Sequence, residues 1–160
     1  MRSFFLFSFL FCFIFLGPGC KKENLCDCVK STGEIVTEKR SLADFDQVEV
    51  RKNVLVTLYQ DTVNYIEVEA GSHLIDLVRS DVSGGVLKIT NDNTCNWVRS
   101  YDIKIYASVH VKKLSRIEHY GSEEIHCATP LKTDYLEVNE DNSADIHLLL
   151  DAGQVVRTVP

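Results

Sequence analysis

From Phe45 onward, apolar side chains fall at alternate positions. Val48 and Val50 alternate with polar neighbours, and Val54, Val56 and Leu58 repeat the pattern. Tyr65, Ile66 and Val68 follow the turn residues Gln60-Asp61-Thr62, and Val86-Leu87-Lys88-Ile89 follows Ser83-Gly84-Gly85. Asp102-Ile103-Lys104-Ile105 alternates again. A period of two, in runs rich in Val and Ile and bounded by turn residues, predicts strands, because successive side chains of a strand point to opposite faces. Only Ser72 to Ser80, with Leu74, Ile75, Leu77 and Val78, has the spacing of a helical turn, and it is short. The chain reads as all-β.

The later part of the pattern repeats. Leu114, Ile117, Gly121, Ser122 and Ile125 are answered by Tyr135, Val138, Asn142, Ser143 and Ile146, each 21 residues on. A period in the low twenties, with a small residue or Asn at the corner, is what a coil of a β-solenoid requires. Equivalent residues then stack ~4.8 Å apart, as in any ladder of parallel strands. The repeat would set Lys113 against Asp134 and Arg116 against Glu137, opposite in sign both times, which favours the stacked arrangement. A third copy would start at Val159, 21 residues after Val138. The expected architecture is a right-handed β-helix-like solenoid that is incomplete at its C-terminus. A plain β-meander is the alternative.

The N-terminus has another pattern. Met1-Arg2 precedes an almost unbroken apolar run from Phe4 to Leu16, then Gly17-Pro18-Gly19, Cys20 and the charged Lys21-Lys22-Glu23. A basic start, a short apolar segment and small residues mark a secretory signal. The run is too short to cross a bilayer comfortably, which takes roughly 20 residues. A cysteine after the small residues points to a lipoprotein signal, cut before Cys20, whose thiol would carry the lipid. The lipobox is irregular, since Leu16 lies four residues before Cys20 and Gly17 takes the usual leucine position. A simply cleaved signal and an uncleaved anchor are the rivals. The expected layout is a signal over 1–19, a polar tether over 20–38 and a β domain over 39–160. Acyl chains would hold it durably to a membrane, which places it in the cell envelope, on the outer-membrane, periplasmic or surface face.

Composition narrows the function. The formal net charge is -6, and an acidic domain without a basic stripe excludes nucleic acid as a natural partner. Of six cysteines, Cys12 lies in the signal and Cys20 is the lipid site, leaving Cys26, Cys28, Cys95 and Cys127 with three pairings open. Cys26-Asp27-Cys28 matches no strong zinc spacing and reads as part of the tether.

Four segments together resemble a known family. They are Arg40-Ser41-Leu42-Ala43-Asp44-Phe45-Asp46-Gln47-Val48-Glu49-Val50, then Val68-Glu69-Ala70, then Asn93-Thr94-Cys95-Asn96-Trp97-Val98-Arg99-Ser100-Tyr101, and Tyr120-Gly121-Ser122 before Ile125. Over about residues 40–150 the chain resembles the head GIN domain, described as an auto-transporter adhesin. The resemblance implies an exported bacterial lipoprotein with a β-helix-like solenoid on the periplasmic or outer surface. It brings no catalytic residues and no ligand. Asn142 stands where the family's second corner carries Gly, and the family continues through more Gly-rich coils.

Candidate chemistry is sparse. His126 and His147 would stack, with Glu124 and Asp145 stacked beside them, and two imidazoles with two carboxylates on an outer face could take a divalent metal. A solvated face is the plainer reading, and no cofactor is expected. Ser122 with His119 and Asp141 suggests a hydrolase, yet the Gly-x-Ser-x-Gly elbow is absent, and Ser122 and Ser143 suit corner hydrogen bonds. Cys127, two residues after an inward Ile125, is either a buried core thiol or a disulfide partner of Cys95. Trp97 and Tyr101 either anchor a ligand contact or, for Trp97, cap the core. The leading expectation is a non-enzymatic envelope lipoprotein that contacts a surface glycan or protein. The alternatives are an envelope structural protein that assembles through the open C-terminal edge, by self-association at Val155-Val156, and a β-helix protein acting on polysaccharide.

Overall fold

The alternating runs around Val48, Val56, Ile66 and Leu87 form strands, the run ending at Lys104-Ile105 stops just short of one (Tyr106–Val111), and the chain closes its strands into two mixed six-stranded sheets. The computed structural model describes residues 31–93, 104–141 and 144–158. The strands are β1 (Ile35–Ser41), β2 (Gln47–Lys52), β3 (Leu55–Gln60), β4 (Tyr65–Gly71), β5 (Val78–Ser83), β6 (Val86–Asn91), β7 (Tyr106–Val111), β8 (Arg116–Gly121), β9 (Ile125–Cys127), β10 (Leu131–Glu140), β11 (Ile146–His147) and β12 (Leu150–Thr158). A single 3₁₀ turn, Ile75–Leu77, occupies the segment with helical spacing. The protein is all-β. The first sheet runs β1-β4-β7-β3-β9-β11 and the second β12-β10-β8-β2-β6-β5.

The 21-residue repeat is a physical register. Ile117 faces Val138 across the parallel pair β8–β10, and Ile125 faces Ile146 across β9–β11. In the second sheet Leu87, Val48, Ile117 and Val138 form one inward row over four strands, each at most 4% exposed. In the first sheet Val68, Ala107, Val56, Ile125 and Ile146 form the corresponding row. Both rows feed one hydrophobic cluster. Burial on one face fixes the register, because a slip of one residue would turn every apolar side chain to water. The repeat also pairs Arg116 with Glu137, at 2.9 Å and 21 residues apart.

Two expectations are corrected. The third copy does not start at Val159: Val138 faces Arg157, and Leu131 faces Leu150, a spacing of 19. The loss lies between the short and the long strand of each pass. Four residues separate His126 from Leu131, and two separate His147 from Leu150, although the histidines themselves face each other. The domain also begins earlier than residue 39. Ile35 to Glu38, assigned to the tether, form the first half of β1 and pair with Val68 to Gly71 of β4. Their exposed, weakly alternating side chains gave no strand signal.

The hairpin β5–β6 turns at Gly84-Gly85, both at positive φ, as two-residue hairpin loops demand. Arg40 of β1 reaches the other sheet. Its guanidinium donates to the carbonyls of Val78 (2.6 Å) and Ile75 (3.1 Å) and to Ser80 Oγ (3.1 Å).

Candidate functional site

A concave surface lies at the corner where β10 bends. Leu131 to Thr133 pair with Leu150 to Ala152, and Tyr135 to Asn139 with Gln154 to Thr158, while Asp134 and Gly153 drop out of the ladder. A side chain at Gly153 would meet the Asp134 carbonyl at 2.9 Å, so glycine lets the two passes stay close through the bend. Thr133 Oγ1 lies 2.9 Å from the Leu114 carbonyl and 2.8 Å from the Tyr135 carbonyl, and its hydroxyl can donate to either. On the preceding pass, Ser115 donates through its N–H to the Asp46 carbonyl (2.8 Å) and through its hydroxyl to Asp46 Oδ2 (2.9 Å). These contacts join four successive passes and leave a groove of about 600 Å³ between their side chains. Asp46, Lys113, Lys132, Asp134, Tyr135 and Asp151 line it and are all exposed.

The predicted metal face is assembled only in part. His126 and His147 are register partners, but His126 Nε2 lies 3.1 Å from Thr57 Oγ1 of the neighbouring strand. Glu124 and Asp145 are exposed. Among the described residues no three His, Cys, Asp or Glu side chains gather as metal ligands do. The residues of the hydrolase idea point apart: His119 is fully buried, whereas Ser122 and Asp141 are exposed. Cys127 is a free, buried thiol, and burial pushes its pKa up, against a hydrogen bond from the Leu149 backbone. A thiol held protonated is a poor nucleophile. Cys20, Cys26, Cys28, Cys95, Trp97 and Tyr101 lie outside the described residues.

Two arrangements had no sequence signal. On the outer face of the first sheet, His110 is stacked between Tyr65 (centroids 3.9 Å) and Tyr59 (4.7 Å), and its Nδ1 lies 3.0 Å from Asp61 Oδ2. Lys39 Nζ caps the far face of Tyr65 at 3.6 Å. The stack spans three strands that are neighbours in space only, so no spacing in the sequence announces it. Inside the second sheet, the row Ile89–Val50 continues as His119 and Glu140. Glu140 is buried and paired with Arg157 (Nε at 2.9 Å). Burial lowers the pKa of His119, while a backbone hydrogen bond at Glu123 and the charge of Glu140 raise it, and burial prevails.

Comparison with known proteins agrees with this geometry. The family model described as "Putative auto-transporter adhesin, head GIN domain" matches residues 44–159. A solved structure titled putative adhesin, from Parabacteroides merdae ATCC 43184, superposes with TM-score 0.68 at 19% identity, covering 81% of this chain and 54% of that one. Another putative adhesin, from Parabacteroides distasonis ATCC 8503, gives 0.64 at 20% identity, with 79% and 57% covered. A structure from the same organism titled putative lipid binding protein gives 0.62 at 18%, with 81% and 61% covered. The chain thus spans less than two thirds of the length of each of these structures, and at such identities the likeness is one of fold. No curated protein matches the chain. With the family model spanning 44–159 and the two-sheet fold shared with solved adhesin-like structures, the chain belongs to the head GIN domain family.

Proposed function

We propose that this chain is a non-enzymatic, adhesin-like binding protein of the cell envelope, anchored by lipid on Cys20, whose two sheets are the walls of a short β-solenoid. The observation that carries the reading is the in-register stacking of β8, β10 and β12 in one wall and of β9 and β11 in the other. Stacked passes commit apolar side chains inward and present whole outer faces and the corner groove to a ligand. That arrangement suits recognition of an extended surface. The head GIN family match supports it. The chemistry of the described residues supports binding over catalysis: the free thiol and His119 are buried in the core.

Two measurements on cells producing the full chain test the proposal. Radiolabelled palmitate should enter the protein and be lost in Cys20→Ala. Protease added to intact cells should remove the domain, and the cells should lose adherence to a host-like surface. Unchanged adherence after complete removal of the domain would sink the adhesin reading, and labelling of Cys20→Ala at the wild-type level would sink the anchor.

A further inference from the structure

We propose that the corner groove binds a linear, uncharged polysaccharide lying along the stacking direction, with one sugar ring per pass of the chain. This rests on the adhesin reading and gives it a ligand class and a site. The groove crosses four passes, through Asp46, then Lys113, then Lys132 to Tyr135, then Asp151. Parallel passes are ~4.8 Å apart, close to the length of one pyranose unit. An extended glycan along the groove therefore meets protein at the same interval at which its own hydroxyls recur. An extended peptide repeats its side chains at another interval and would fall out of step with the passes.

The lining chemistry selects the class. Asp46, Asp134 and Asp151 offer acceptors, and Lys113 and Lys132 offer donors. Among the described residues the charged ends of Lys113, Lys132, Asp134 and Asp151 make no ion pair, so they are available to a ligand. A sugar hydroxyl both donates and accepts, so it is satisfied by either sign. A polyanion would meet three carboxylates, and a polycation two ammonium groups. Tyr135, 43% exposed, adds an aromatic surface for the C–H face of a ring. The volume of about 600 Å³ is in the range of ordinary ligand sites. The groove also exists because of the stacking itself: it follows the bend at Asp134 and Gly153 from pass to pass.

The experiment titrates the full chain, in detergent, with cello-, xylo- and manno-oligosaccharides of two to six units and with hexagalacturonate, by calorimetry and by NMR. At least one neutral series should saturate with a Kd below about 1 mM, and affinity should rise with length and level off at four units. Tyr135→Ala should weaken binding about tenfold or more, Asp134→Asn should weaken it less, and hexagalacturonate should bind more weakly than the neutral hexamers. Both positions are exposed, so melting temperatures should match wild type and keep a folding defect from passing for lost binding. The proposal is overturned if no neutral oligosaccharide saturates, if Tyr135→Ala binds as wild type, if affinity keeps rising beyond four units, or if hexagalacturonate binds best. Cell adherence separates the two readings: adherence that survives Tyr135→Ala removes the groove and leaves the adhesin, whereas loss of adherence with lost glycan binding supports both.

Discussion

The two ends of the sheet pair are built on different principles. At one end, β1 and β4 pair antiparallel in the first sheet, as do β5 and β6 in the second, and no residue spacing recurs. At the other end β8, β10 and β12, with β9 and β11, stack in parallel. At the antiparallel end a side chain joins the sheets, since Arg40 bonds β1 to the backbone at Val78 and Ile75. The parallel end is held by rows. Its inward row stays apolar through Leu87, Val48, Ile117 and Val138 and ends at the exposed Arg157, and the neighbouring row passes from Ile89 and Val50 to His119 and Glu140. Repetition sets the register there, and the interior becomes polar as the stack proceeds.

The comparison breaks first at the apolar row. Ile117 is fully buried between Val48 and Val138. Ile117→Ala should cost about 2–5 kcal/mol by the usual scale for buried large-to-small changes. Ile146→Ala, one pass on at a half-buried position, should cost less than half as much. Chemical denaturation checks both. Equal losses would mean that inward positions do not weaken from one pass to the next.

Next comes the tie at the other end. Arg40→Ala removes a guanidinium that is 19% exposed and bonded to two carbonyls and a hydroxyl. A loss of about 2 kcal/mol is expected, the scale of hydrogen bonds made by a charged group. Hydrogen exchange should quicken in β1 and β5 and stay unchanged in β10. A uniform quickening would show that the two ends melt as one and that the tie is not local.

How much of this was legible depended on whether the physical signal was periodic. Alternation located β2, β3, β4 and β6, and the offset of 21 located the pairs Ile117–Val138 and Ile125–Ile146, because burial of one face imposes a period on the sequence. The spacing of 19 was missed because it depends on the length of a short link, which no apolar pattern constrains. β1 was missed because six of its seven residues are exposed. The corner groove was half legible. Lys113 and Asp134 were read as stacked opposites, and both line it, but its concavity depends on a bend at Gly153. The histidine face was legible as a register and illegible as a site, since Thr57 arrives from a strand distant in sequence.

His119 gives a pH test of the polar end. Its ordinary value is 6.5, and burial lowers it in the folded chain. The unfolded chain thus takes up the proton first as pH falls. Stability from this group is full above about 6.5 and declines as pH falls from there toward the lower folded value. The melting temperature should drop between neutral and mildly acidic pH, and His119→Leu should flatten that drop. Groups that titrate lower, Glu137 and Glu49 among them, lose their contribution only below the ordinary carboxylate range, because each is held down in the fold. Asn139 and Arg116 bond Glu137, and in Glu49 the bonds from Arg51 and Lys88 outweigh burial. An unchanged slope in His119→Leu would assign the acid sensitivity elsewhere.

The smallest effect expected is the one the repeat itself proposed. Arg116 and Glu137 face each other across β8 and β10 as register partners, with the guanidinium Nε and Nη2 at 3.1 and 2.9 Å from one carboxylate oxygen. Arg116 is 39% exposed and also lies 3.7 Å from Glu118, so solvent screens the pair and a second carboxylate shares it. A double-mutant cycle of Arg116→Met and Glu137→Gln should give a favourable coupling smaller than the Arg40 loss, and 1 M salt should reduce it further. Arg116→Met alone should cost less than its bonds imply, because Asn139 still donates to Glu137. A coupling as large as the Ile117→Ala loss would invert the comparison and make charge, rather than the inward row, the element that sets the register of the parallel end.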